Sequence, residues 1–237
     1  MKQNVLKGKG IFVTGTDTGV GKTLVAAGIA CLLHGSGLKV GVMKPVATGG
    51  SRKSDMLVSD DAIMMKEAAH SRDEYSLINP ICLPSMMAPV VASRVDRLQV
   101  DWKTIWSAFK TLSKKYNHLV VEGIGGLLVP ITDDLYVADM ARKMKLPLII
   151  VSRPTLGTIN HTLLTIEVAR SRGLKIKGVI FNNTKIGGGT LLEETNKIEI
   201  EKLSGVPVIA SIPYIHSPTS GGIATYLHDN ISLQDIL

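Results

Sequence analysis

The strongest constraint in this chain is an alternation. Short apolar runs rich in Val and Ile recur along it, and each is followed by a helix-compatible stretch. The runs are GIFVTG (10–15), KVGVMKP (39–45), HLVVEG (118–123), LPLIIVS (146–152), IKGVIFN (176–182) and VPVIAS (206–211). The helical stretches lie near 22–34, 59–69, 102–116, 134–144, 159–172 and 191–204. Strands that are apolar along their whole length are buried on both faces, and helical crossovers between them make neighbours parallel. The predicted fold is α/β: a doubly wound, mostly parallel sheet in a three-layer αβα sandwich. No repeat, low-complexity tract or linker-like shift interrupts the alternation, and 237 residues suit one domain over 1–237.

Open sheets of this kind bind ligands beyond the carboxyl ends of their strands. The polar residues after each apolar run should therefore converge on one site. The first such end is VTGTDTGVGKT (13–23). It closes in Gly-Lys-Thr but departs from G-x-x-x-x-G-K-[ST], because Thr16 stands where the first glycine belongs and Gly15 lies one residue early. The strand before it and the helix after it supply the context a phosphate loop needs. Backbone N–H groups of 18–23 would cradle phosphates at a helix N-terminus. Lys22 would reach the β/γ-phosphates, and Thr23 would hold Mg²⁺.

The second end is MKPVATGG. Lys44 precedes a proline, which keeps its backbone extended. It is expected to project beside the phosphate loop, as a second cation near a γ-phosphate or as a surface lysine. In SDDAIMM, Asp60 and Asp61 open a helix, either as caps or as a carboxylate ligand for Mg²⁺. In HLVVEGIGG an apolar strand ends in Glu122, a second candidate Mg²⁺ ligand, with glycines at 123, 125 and 126 that admit a ligand close to the backbone. The turn TLGTIN leads into a helix and presents free N–H groups suited to a carboxylate or phosphate. In FNNTKIGGG, Asn182 or Asn183 could read a base edge or merely form a turn. The loop IPYIHSPTSGG could close over the base. Together these ends describe Mg-ATP phosphoryl transfer to a small anionic substrate.

GTDTGVGKT, KPVATG, VVEGIGG and LGTINHTLLT, in this order and spacing, resemble the dethiobiotin synthetases over about residues 10–215. The resemblance implies a 7,8-diaminononanoate substrate. One amine takes up CO₂ to form a carbamate, ATP phosphorylates it to a mixed anhydride, and the second amine closes the ureido ring and expels phosphate. It implies Lys44, Lys22 and Thr18 as catalytic residues. It places Gly19, Val20, Gly21, Lys22, Thr23 and Leu24 around the nucleotide, with Gly123, Ile124 and Gly125 on another side. Thr23, Asp61 and Glu122 would hold Mg²⁺. Asn182, beside Asn183, would read adenine, and Pro213, Tyr214 and Ile215 would contact the base. Thr48, Gly157 and Asn160 would contact substrate. The resemblance further implies a homodimer in which the turn at LGTIN serves the neighbouring subunit's substrate and lies away from its own phosphate loop. Two positions depart from the family: Gly19 replaces an acid that some members carry, and Val90 stands where many have His.

Three rival readings are weaker. Partition and division-site ATPases carry an extra lysine in K-G-G-x-G-K-[ST], where this chain has Asp17. A cobyrinate-type amidation enzyme needs an attached glutaminase domain, for which a chain ending at Leu237 leaves no expected room. A nucleic-acid binder is suggested only by the net charge of +7; the basic residues are scattered, and 4% aromatics make a poor stacking platform. No apolar run approaches the ~18 residues of a membrane span, and MKQNVLKGKG has no apolar core behind its basic residues. Two distant cysteines, Cys31 and Cys82, suit a reducing cytoplasm.

Overall fold

The structure is a computed structural model and describes residues 10–53, 56–185 and 190–236. Nearly all of the N-terminal stretch read above for a leader, and positions 186–189 of the loop after Asn183, lie outside the described residues. In chain order the elements are β1 (Gly10–Gly15), α1 (Lys22–Gly35), β2 (Val40–Met43), β3 (Val46–Thr48), β4 (Ser51–Lys53), β5 (Met56–Val58), α2 (Asp60–Ala68), α3 (Tyr75–Ile78), β6 (Ile81–Leu83), α4 (Pro89–Asp96), α5 (Trp102–Lys115), β7 (His118–Glu122), α6 (Val137–Met144), β8 (Leu148–Ser152), α7 (Thr158–Ser171), β9 (Ile176–Asn182), α8 (Thr190–Ser204), β10 (Val208–Ile212), α9 (Ser220–Asn230) and α10 (Leu233–Ile236).

All six predicted strands join one sheet in the order β10-β9-β8-β1-β7-β2, with every pairing parallel. The alternation of side chains explains why whole strands are apolar. Ile11 and Val13 of β1 face a core shared with α1, α2 and α9, whereas Phe12 faces the opposite core with α5 and α6. A third cluster packs α7 and α8 on β8, β9 and β10 through Ile150, Val179, Phe181, Ile166 and Ile200. Buried strand faces and covering helices thus agree with the three-layer expectation.

Some expectations need correction. Lys44 directly follows β2, which is the sheet edge, and β7 lies between β2 and β1. Lys44 therefore reaches the phosphate loop across β7. The 134–144 helix begins only at Val137, because Pro130 and Tyr136 form an antiparallel bridge that holds the preceding segment extended. The loop read from IPYIHSPTSGG is shorter than expected: α9 starts at Ser220, where the Thr219 hydroxyl accepts from the Gly222 N–H. Two small ribbons, β3 with β6 in parallel and β4 with β5 antiparallel, were not legible at three residues each.

Candidate active site

The site forms where β1, β2 and β7 end. Gly21 caps α1 in the left-handed region at φ 91°, a conformation that costs other residues energy. The loop before it folds over Lys22, whose Nζ donates to the Asp17 carbonyl at 2.8 Å. Burial disfavours the charged ammonium and lowers its pKa to about 8, against the opposing pull of Glu122. The chain thus holds a lysine whose charge awaits an anion.

Opposite Lys22 lies a compact polar cluster. Lys44, 2% exposed, sets its Nζ 2.6 Å from Asp61 Oδ2 and 2.7 Å from Glu122 Oε1, and donates to the Gly123 carbonyl at 3.2 Å. Thr23 Oγ1 lies 2.9 Å from both Asp61 Oδ1 and Glu122 Oε1. Burial works against the Lys44 ammonium, but the two carboxylates outweigh it and hold its pKa above the ordinary value. Burial raises Asp61, yet Lys44 outweighs this and leaves it low. For Glu122 burial wins, helped by the neighbouring Asp61, and its pKa is raised. Glu122 Oε2 is buried without a hydrogen-bond partner, an orphaned acceptor of the kind a cation satisfies.

The local alternatives resolve geometrically. Lys44 is buried rather than a surface lysine. Capping of α2 falls to Ser59, whose hydroxyl accepts from the Ala62 N–H at 3.2 Å, so Asp61 is free to face Lys44 and Thr23. Asn79, which sequence reasoning did not single out, fixes this corner. Its amide donates to the Lys44 carbonyl at 2.9 Å, and its oxygen accepts from the Ser59 N–H and hydroxyl.

A cavity of about 640 Å³ joins the loop to this cluster and is lined by Thr18, Gly19, Gly21, Lys22, Thr23, Lys44, Thr48, Asp61, Glu122, Ile124 and Gly125. Its far wall is Met87, Ala88 and Pro89, from the MAPVVAS segment that the resemblance makes a substrate loop, with Met86 and Val129, which sequence reasoning missed. The run of apolar residues beside Pro89 was the available signal. A second cavity of about 310 Å³ brings together Gly21, Leu24, Asn182, Asn183, Pro213, Tyr214 and Ile215, the set expected around the base. Here Asn182 Nδ2 donates one N–H to the Val20 carbonyl at 2.9 Å, which leaves its second N–H and its Oδ1 for a base. It therefore braces the phosphate loop, and a Cβ on Gly21 would collide with that same amide. Asn183 donates to Glu193 Oε2 at 3.0 Å and to the Ile212 carbonyl at 3.1 Å. Val20 is buried and lines neither cavity, nor does Gly123, nor do Gly157 and Asn160 at the start of α7. Val90 lines neither cavity and donates its N–H to the Pro130 carbonyl at 3.3 Å.

Among the described residues no group of three or more His, Cys, Asp or Glu could hold a metal, and no helix is long and apolar enough to cross a membrane. Two carboxylates and a hydroxyl do fit Mg²⁺, which is commonly held by one or two carboxylates together with substrate phosphates. Cys31 and Cys82 are free thiols, and burial pushes Cys82 up to about 11.

The profile of the AAA domain family matches residues 9–220. ATP-dependent dethiobiotin synthetase BioD of Thermodesulfovibrio yellowstonii is 42% identical over 213 residues, covering 87% of this chain and 89% of that protein. The synthetase of the same name from Nitrosopumilus maritimus is 38% identical, covering 97% and 99%, and that of Bacillus subtilis 36%, covering 95% and 96%. Among solved structures, a ParA family ATPase from Chlorobium tepidum superposes with a TM-score of 0.53 at 17% identity, over 94% of this chain and 97% of the other. The septum site-determining protein MinD from Pyrococcus horikoshii, complexed with Mg-ADP, gives 0.52 at 17%, over 96% and 97%. At such identities these two establish the shared phosphate-loop ATPase fold.

Proposed function

The chain belongs to the dethiobiotin synthetase family, and from that premise we propose that it closes the ureido ring of dethiobiotin from 7,8-diaminononanoate, CO₂ and ATP, as one catalytic domain in a cytoplasmic homodimer. The observation that carries the reading is the cluster of buried Lys44 and Glu122 with half-buried Asp61 and Thr23, lining one cavity with Lys22.

In this reading the loop N–H groups and Lys22 hold the phosphates, and the Asn183 cavity takes the base. Thr23, Asp61 and Glu122 hold Mg²⁺, which when bound offsets the negative charge of the phosphates. One substrate amine adds to CO₂ and loses a proton, giving a carbamate. A carbamate oxygen attacks the γ-phosphorus, ADP departs, and a carbamic-phosphoric anhydride forms. The second amine attacks its carbonyl carbon, loses a proton to solvent, and inorganic phosphate leaves. Lys44 supplies positive charge where the phosphoryl group crosses between two anions, an effect felt most in the transition state. Thr18 acts beside it. Thr48 orients the carbamate by its hydroxyl, and Ala88, Pro89 and Val129 give the anhydride an apolar flank. Gly157 and Asn160, at the α7 turn, receive the carboxylate of the partner subunit's substrate.

The test is phosphate release with each component omitted. Release should require both the diamine and CO₂ or bicarbonate. Vigorous hydrolysis without the diamine would overturn the synthetase reading.

A further inference from the structure

The phosphate loop breaks the standard pattern at Thr16, and Thr16 lines neither cavity. It is fastened instead to the end of β8. Its N–H donates to the Val151 carbonyl at 3.0 Å, and its hydroxyl donates to Ser152 Oγ at 3.2 Å. Ser152 is buried at the centre of a hydroxyl cluster. Thr162 Oγ1 donates to it at 3.1 Å, Thr158 Oγ1 lies 2.8 Å away, and Thr158 and Thr162 are 3.4 Å apart.

A serine hydroxyl has one proton and two lone pairs. With Thr16 and Thr162 donating to Ser152, its own proton goes to Thr158. Every position on Ser152 is thereby used, and the direction of each hydrogen bond is set. Thr158 opens α7, and Thr162 lies one turn further on. Gly157, the N-cap, carries no side-chain cap, so side-chain hydroxyls hold this turn from the sheet side. A second tie runs from Arg153 to Asp17 at 3.0 Å, but it is largely exposed and contributes little. The α7 turn is therefore joined to its own phosphate loop, contrary to the expectation that it lies apart.

We propose that Thr16, acting through Ser152, positions the first turn of α7, so that a phosphate-loop residue serves the diamine rather than the nucleotide. This rests on the reading above that the α7 turn receives the substrate carboxylate. Thr16 is a positioning residue: it touches neither substrate. The buried hydroxyls transmit its effect because, within a packed interior, displacing one partner leaves the others unsatisfied.

Steady-state kinetics of Thr16→Val and Thr16→Ser, with hydrogen exchange of the α7 amides, test this. Thr16→Val should raise KM for the diamine about tenfold, because small displacements of a binding group weaken capture steeply. KM for ATP should stay within about twofold. Thr16→Ser should restore the wild-type value. In protein without nucleotide, Thr16→Val should also accelerate exchange across 158–162. Ser152→Ala is the second variant and should reproduce both effects. A rise in KM for ATP alone, or unchanged exchange at α7, would overturn the proposal. If the wild type turns over no diamine, the synthetase reading fails on its own, and the exchange measurement still decides whether Thr16 positions α7.

Discussion

Lys22 and Lys44 are both buried cations, yet their surroundings push them in opposite directions. Lys44 has two carboxylates within hydrogen-bond reach, whereas the nearest partner of Lys22 is a neutral carbonyl. Burial therefore wins at Lys22, and its pKa falls to about 8 from 10.5. Phosphate binding favours the protonated form, so affinity should be complete below that value and be lost as pH rises through it. For a non-hydrolysable ATP analogue with Mg²⁺, Kd should climb between pH 8 and 9.5 by up to about tenfold per unit. Lys22→Arg should flatten the profile, since a guanidinium stays charged. A flat wild-type profile to pH 9.5 would show that bulk-like solvation persists at Lys22. The identities of these residues were readable from the strand ends. The local pattern left Asp60 and Asp61 open and only the resemblance chose Asp61, because the answer depends on Ser59 taking the cap.

At the scale of elements, the six strands and their crossover helices were legible because each is a long apolar or periodic run. The ribbons, α3, α4 and α9 were not, being short or lacking clear periodicity. Yet α9 matters, for it packs along α1, the helix that the phosphate loop opens. Gly28 makes that contact close: a Cβ there would fall 2.9 Å from the Ile223 Cβ and nearer still to its Cγ2. Replacing a mid-helix glycine by alanine normally gains about 1 kcal/mol. Overpacking a filled core costs about 1–3 kcal/mol. Because Ile223 is fully buried and cannot swing outward, the second effect should prevail. Gly28→Ala should lower the urea midpoint, and an increase would mean that α9 yields easily.

The whole molecule shares its architecture with a ParA family ATPase and with the septum site-determining protein MinD, so the fold alone does not choose the chemistry. The proposed homodimer can be tested directly. Light scattering should give twice 25.4 kDa both without and with ATP. A monomer that pairs only on adding ATP would overturn the proposed constitutive homodimer. The sequence by itself determined the parallel sheet, the phosphate loop and the family, because burial on both faces and close phosphate approach each demand particular residue types at particular spacings. Only the tertiary structure decided that β2 stands at the edge, that Lys44 lies between two carboxylates and that Thr16 joins α7. Those depend on which strand pairs with which and on hydroxyl geometry across residues far apart in the chain, and no local pattern encodes either.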